Sequence, residues 1–202
     1  RFSESTISNI YYDTPDFRLI RRSLEKPVYK EKLRLRSYGR ADREHPVFME
    51  LKKKYRSIVY KRRLTLPYGR ALDCLTGDCP WPETQIGREI GYAMDFYPDL
   101  EPRVFLSYER DSWYAPESGL RITFDDAIRF RTADLTLDSD LWGTALLRPD
   151  QVLMELKAPG AIPLWMVRLL TEMGLYKTSF SKYGTAYQIL LEQEYKGGKR
   201  YA

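Results

Sequence analysis

The 202-residue chain is 43% hydrophobic and 30% charged, with a net charge of +5, which suits a soluble globular protein with room for one large domain. It holds no run near the roughly 18 apolar residues of a membrane span and no visible signal peptide. Its one histidine, His45, leaves no basis for a histidine-based triad.

Along the chain, Ser8–Asp13 ("SNIYYD") reads as a strand running into "DTPDF", where an Asp or Thr is placed to cap a short helix. Four strand-like runs follow, over 28–38, 46–55, 57–66 and 103–114. A polar loop, "GRADREHP", joins the first two, and "YRS" makes a tight turn between the next pair. Residues 68–98 break the period of two. Within them Ile86, Ile90, Ala93, Met94 and Tyr97 share one helical face behind a capping Thr84. "CLTGDC" reads as a turn whose Cys74 and Cys79 are nearby thiols in a reducing cytosol, with a disulfide as the alternative; with only His45 besides, a zinc site lacks ligands.

"APESG" marks a hairpin between "PRVFLSYERDSWY" and "LRITFDDAIRFR", and "VLMELKAPG" is the last clear strand, the seventh. "IPLWMVRLLTEMG" reads as an amphipathic helix with Pro163 near its start and Gly174 past its end, and a final helix covers about 185–195. No repeat or linker divides the chain, so 1–202 reads as one domain. It starts at Arg1 without a methionine and is read as an excised piece.

The strands share one pattern. In "YKEKLRLRSYG", Lys30, Lys32, Arg34 and Arg36 fall on one face, with Leu33 and Leu35 on the other. The same phase sets Glu50, Lys52 and Lys54 against Met49 and Leu51, and aligns Lys61 with Arg63. It aligns Tyr108 with Arg110, sets Arg121, Thr123 and Asp125 against Ile122 and Phe124, and sets Glu155 and Lys157 against Leu156. For a single strand, a solvated face explains this. Repeated over the set, with helices available to cover the apolar side, it predicts a barrel lined by cations and stabilised by a chain of phosphates.

In order, "YKEKLRLRSYG", "VFMELKKKY", "IVYKRR", "YER", "LRITFD", "LMELK", "PLWM" and "SFSKYG" resemble the polyphosphate polymerase domain of the vacuolar transporter chaperone (VTC) group, within the triphosphate tunnel metalloenzymes. The resemblance runs from about Asn9 to Tyr187. It implies an α+β fold, an antiparallel eight-stranded tunnel barrel with helices outside, whose first strand would precede Arg1. It implies a metal-dependent phosphotransferase that adds the terminal phosphoryl group of ATP to polyphosphate.

By motif match, Arg34, Arg36, Lys52, Lys61, Arg110, Arg121 and Lys182 would hold the phosphates. Tyr108 and Ser181 would neighbour them, and Lys32, Lys54, Lys157 and Arg131 share the inward phase. Glu155 would bind Mn2+ or Mg2+, and Glu50 would be either a second ligand or, the favoured role, a group that neutralises Lys52 and Lys61. The implied partners are a nucleoside triphosphate and polyphosphate, in the cytoplasm, with neither nucleic acid nor membrane. A triphosphatase, in which water attacks, and a module that only binds polyanions remain the alternatives.

Overall fold

The computed structural model describes residues 3–56 and 58–198. In chain order the elements are β1 (Ser3–Asp13), α1 (Arg18–Leu24), β2 (Tyr29–Tyr38), β3 (Pro46–Tyr55), β4 (Ile58–Pro67), α2 (Tyr68–Thr76) and α3 (Gln85–Phe96). Then come β5 (Glu101–Ala115), β6 (Leu120–Arg131), β7 (Thr144–Ala145), β8 (Leu153–Lys157), α4 (Leu164–Glu172) and α5 (Lys182–Gly198). The strands form one eight-stranded antiparallel sheet in the order β4-β3-β2-β1-β5-β6-β7, with β8 also paired to β6. This is the expected fold class, as a sheet that does not close: β4 pairs only with β3 and β8 only with β6 among the described residues.

Alternation decides which face each side chain meets. Ile10, Leu33, Leu35, Met49, Leu51 and Phe105 are buried on one face, under Ala71 of α2 and Ile90 and Ala93 of α3. Thr84 Oγ1 accepts from Gly87 N at 3.0 Å, capping α3 as its sequence predicts. The opposite face carries the cations of β2, β3 and β4 and, on β1, β5 and β6, a second apolar cluster of Ile7, Tyr11, Val104, Leu106 and Phe130. Helix α5 seats Tyr183, Ala186 and Tyr187 in that cluster. It therefore lies on the ionic face, whereas α2 and α3 lie outside as expected.

Several elements differ from the sequence reading. Helix α2 and the two-residue strand β7 were not foreseen. Helix α5 begins at Lys182 rather than near 185, because Ser181 Oγ accepts from Gly184 N at 3.2 Å and caps the earlier turn. Helix α4 forms as predicted between Pro163 and Gly174, but of its apolar residues only Met166 is buried, and Leu164, Trp165, Val167 and Leu169 stay exposed.

Candidate functional site: an ionic sheet face around two buried carboxylates

The first focus of the site is Glu50, in the middle of β3 and only 1% exposed. Pairing sets it between Arg34 of β2 and Arg63 of β4. Arg34 donates Nε to Oε2 at 2.7 Å, and Arg63 donates Nε to Oε1 at 2.7 Å. Lys61 Nζ reaches Oε1 at 2.8 Å and Arg36 Nε lies 3.9 Å from Oε2. Burial would raise the pKa of this carboxyl, but Arg34, Arg36 and Lys61 hold it well below the usual range. The arginines are also fixed from β1 and β5. Arg36 donates Nε to Asn9 Oδ1 at 2.9 Å and NH2 to the Tyr108 hydroxyl at 3.3 Å, and Arg34 NH1 donates to the Tyr11 hydroxyl at 3.0 Å.

The second focus is Asp125 of β6, fully buried. Arg110, directly opposite on β5, grips it bidentately, with Nε to Oδ1 at 2.6 Å and NH2 to Oδ2 at 2.7 Å. Lys182 Nζ closes on Oδ2 at 2.5 Å. Burial would raise this carboxyl too, and Arg110 and Lys182 lower it instead. The Tyr108 ring lies beneath both cations, 5.1 Å from the Arg110 guanidinium carbon and 4.5 Å from Lys182 Nζ. The helix that brings Lys182 is pinned one residue on. Tyr183 donates its hydroxyl to Asp13 Oδ2 at 2.8 Å and stacks on Tyr11 at 4.4 Å. Asp13 in turn accepts from Leu19 N and Ile20 N and ties down the start of α1.

Further along β2 and β3 from Glu50, on the same face, lie lysines without such counter-ions. Lys30 stands opposite Lys54, Lys32 opposite Lys52, and Lys52 opposite Lys61. Like charges directly opposed across strands destabilise a sheet, and no carboxylate forms a salt bridge with Lys32, Lys52 or Lys54 among the described residues. Lys32 Nζ donates to Ser181 Oγ at 2.9 Å, and burial, reinforced by Lys30, Lys52 and Arg34, pulls its pKa down to about 8.

The expected site residues thus divide into groups. Arg34, Arg36, Lys61, Arg110, Lys182, Lys32, Tyr108 and Ser181 come together through the contacts above. Lys52 joins them by register, although its side chain is exposed. Arg121, Lys157 and Glu155 lie together at the far end of the face, where β8 crosses β6; Glu155 and Lys157 pair at 3.1 Å and both are largely open to solvent. Arg131 is corrected. A backbone irregularity around Ala127 (φ 45°) shifts the alternation of β6, so Arg131 turns to the other face. There it stacks on Phe105 at 3.6 Å and donates to the carbonyls of Ala133, Asp134, Asp140 and Trp142.

Glu50 does neutralise Lys61, but its other partners are Arg34, Arg63 and Arg36 rather than Lys52. Arg63, Asp125, Tyr11 and Asn9 were not singled out from sequence as site residues. The phase with Lys61 and Arg121 was a usable signal for the first two. Cys74 and Cys79 are both free, with their sulfurs 2.7 Å apart. His45 is half-buried, its Nε2 3.0 Å from the Tyr38 carbonyl oxygen.

The fold is thus an open antiparallel eight-stranded sheet with one cationic face, its apolar face covered by helices. The VTC domain matches residues 2–191, and the chain belongs to that family. Solved structures share the fold, among them the following two. One, from Bacillus halodurans and provisionally assigned as an adenylate cyclase, superposes with a TM-score of 0.51 at 15% identity, over 88% of this chain and 79% of that one. The other, from Hippeastrum, is provisionally named an adenylyl cyclase and described as having a dominant triphosphatase activity. It gives 0.50 at 15% identity, over 90% and 81%. A comparison with curated proteins found no significant match. No described helix is long and apolar enough to cross a membrane.

Proposed function

We propose that this chain is a metal-dependent, ATP-using polyphosphate polymerase whose ionic face holds the phosphates of donor and chain. The observation that carries the reading is the charge imbalance of that face. Buried carboxylates organise the arginines, and beyond them run opposed lysine pairs whose repulsion an added anion would relieve. Membership of the VTC family supports the same reading.

The bidentate-capable guanidinia of Arg34, Arg36 and Arg110 would fix oxygens of the triphosphate, while Lys32, Lys52, Lys61 and Lys182 would supply point charge along the chain. Phosphoryl transfer asks little covalent chemistry of the protein, so positioning and charge neutralisation are its main contributions. The attacking group would be a terminal phosphate oxygen of the chain, and the leaving group ADP. Arg121 and Lys157, at the more open end, would meet phosphates entering or leaving.

A divalent cation fits the residues present only as a shared site. No three His, Cys, Asp or Glu side chains gather to hold a metal among the described residues. Glu155 offers a solvent-reachable carboxylate, directly across from the buried and unpartnered Thr123 Oγ1. An all-oxygen set completed by phosphates and water suits Mg2+ or Mn2+. Glu155 would hold it, and when bound it would supply charge stabilisation at the transferring phosphoryl group.

The second reading is a triphosphatase, favoured by the activity described for the Hippeastrum neighbour. Incubation with ATP and manganese, followed by gel electrophoresis of the product, tests the proposal. A ladder of long polyanion supports the polymerase. Release of free phosphate without a ladder replaces it with the triphosphatase, and neither product leaves a module that only binds.

A further inference from the structure

Thr123 is 6% exposed, and its Oγ1 is buried without a hydrogen-bond partner among the described residues. Native proteins seldom leave a hydroxyl in that state, because it has lost water and gained nothing in return. The position explains what it could serve. Thr123 stands in the middle strand of three, paired across with Ser112 of β5 and Glu155 of β8. Two residues along the same face is Asp125, whose oxygens are already taken by Arg110 and Lys182. A hydroxyl so placed, beside the Asp125 ion cluster and across the strand pair from Glu155, is a buried donor that no described residue satisfies.

We propose that Thr123 is a phosphate-positioning residue, its hydroxyl donating to an oxygen of a phosphate lodged between Arg110 and Glu155. This rests on the reading that the ionic face takes a triphosphate, and deepens it by naming a specificity contact. A hydroxyl donor distinguishes an oxyanion from a bare charge. It fixes one oxygen where lysines alone would let the anion slide.

The proposal inverts the usual effect of mutating a buried polar group. Thr123→Val keeps the shape and removes an unsatisfied hydroxyl, so the ligand-free protein should melt at the same temperature or higher. Affinity for inorganic tripolyphosphate, titrated calorimetrically without added metal, should fall about tenfold or more, as for a hydrogen bond to a charged group. Thr123→Ser, which keeps the hydroxyl, should bind near the parent level. A T123V protein that melts lower overturns the assignment whatever its affinity, since the hydroxyl then serves the fold. Unchanged affinity in T123V, or a loss that T123S does not restore, overturns it as well. If the parent itself does not bind tripolyphosphate, the reading of the whole face fails together with Thr123. If the parent binds and T123V binds equally, only the role of Thr123 fails.

Discussion

Arg34 and Glu50 face each other across β2 and β3, and the guanidinium holds the buried carboxylate with Nε at 2.7 Å and NH2 at 2.6 Å. Among the described residues, every ion-pair partner of this carboxylate is Arg34, Arg36, Lys61 or Arg63. Replacing it by Glu50→Gln would leave Arg34, Arg63 and Lys61 gathered around a neutral amide. Breaking a buried pair of this kind costs about 3–5 kcal/mol, roughly a 10 °C loss in Tm for a chain of this size. Because the deficit is one of negative charge, added sulfate or pyrophosphate should restore part of the loss. An E50Q protein as stable as the parent, or one indifferent to these anions, would refute the hub.

The same carboxylate sets the acid limb of stability. Its folded pKa lies below the ordinary value of 4.5, and that of Asp125 lies below 3.8. The unfolded chain therefore binds these protons first. Their contribution is fully present above the ordinary carboxylate range and is lost as pH falls through the depressed values. Chemical denaturation from pH 6 downward should show stability falling below about pH 4.5 in the parent, with a shallower fall in E50Q. Parallel curves would contradict the assignment.

Lys32 gives the opposite limb. Its pKa of about 8 in the free protein stems first from burial and then from Lys30, Lys52 and Arg34, against the pull of Tyr11. A lowered lysine pKa means the unfolded chain binds the proton more tightly, so this group adds stability as pH rises from about 8 towards 10.5. Binding runs the other way. An anion beside the ammonium raises its pKa, so tripolyphosphate binding takes up a proton and weakens above about pH 8, by at most about tenfold per pH unit from this group. Lys30 and Lys182 are also lowered by burial, so the informative quantity is the difference from Lys32→Arg, which stays charged. Equal pH slopes in parent and K32R would remove Lys32 from the linkage.

How much of this could be read in the chain depended on the range of the interaction. The faces of β2 and β3 were legible because alternation is local: Leu33, Leu35 and Leu51 mark the covered side, and Arg34, Arg36 and Lys52 follow by phase. Partnership was not legible, because it depends on register between strands far apart in sequence. Nothing near Asp125 announces that Arg110 and Lys182 converge on it, from 15 and 57 residues away. Arg131 was misplaced because alternation was carried through Ala127, where the backbone breaks it. Strand β7 is too short to have a period, and α2 was hidden by Gly69 and by the turn-like residues at its end. The start of α5 was recoverable, since a serine followed three residues later by a glycine amide is an ordinary cap.

Arg36 tests whether the face binds anions as a unit. It is buried, held by Asn9 and Tyr108, and only 3.9 Å from Glu50, so it is preset rather than mobile. Arg36→Ala should weaken tripolyphosphate binding and lower kcat/KM by a similar factor while leaving kcat nearly unchanged, because a contact present in ground and transition states alike is lost. Parent affinity should also fall steeply between low and high salt. Affinity that ignores ionic strength would mean that charge is not what holds the ligand.

Glu155 separates binding from chemistry. It sits across from Thr123, salt-bridged to Lys157 at 3.1 Å and open to solvent, unlike the two buried carboxylates that hold arginines in place. Glu155→Gln preserves size and hydrogen bonding and removes one negative charge. If the carboxylate merely balances Lys157, the variant should bind triphosphate at least as tightly and turn over nearly as fast. If it holds a divalent cation, triphosphate binding without metal should persist while turnover collapses. The interaction lost would then be one needed mainly as charge develops on the transferring phosphoryl group. A drop of about a hundredfold or more is expected, in line with other preorganised electrostatic contacts. The pair of measurements, affinity without metal and turnover with manganese, distinguishes the cases even if both values move. An E155Q protein that still turns over at close to the parent rate would strip Glu155 of the metal, and collapse with affinity intact is the expected result.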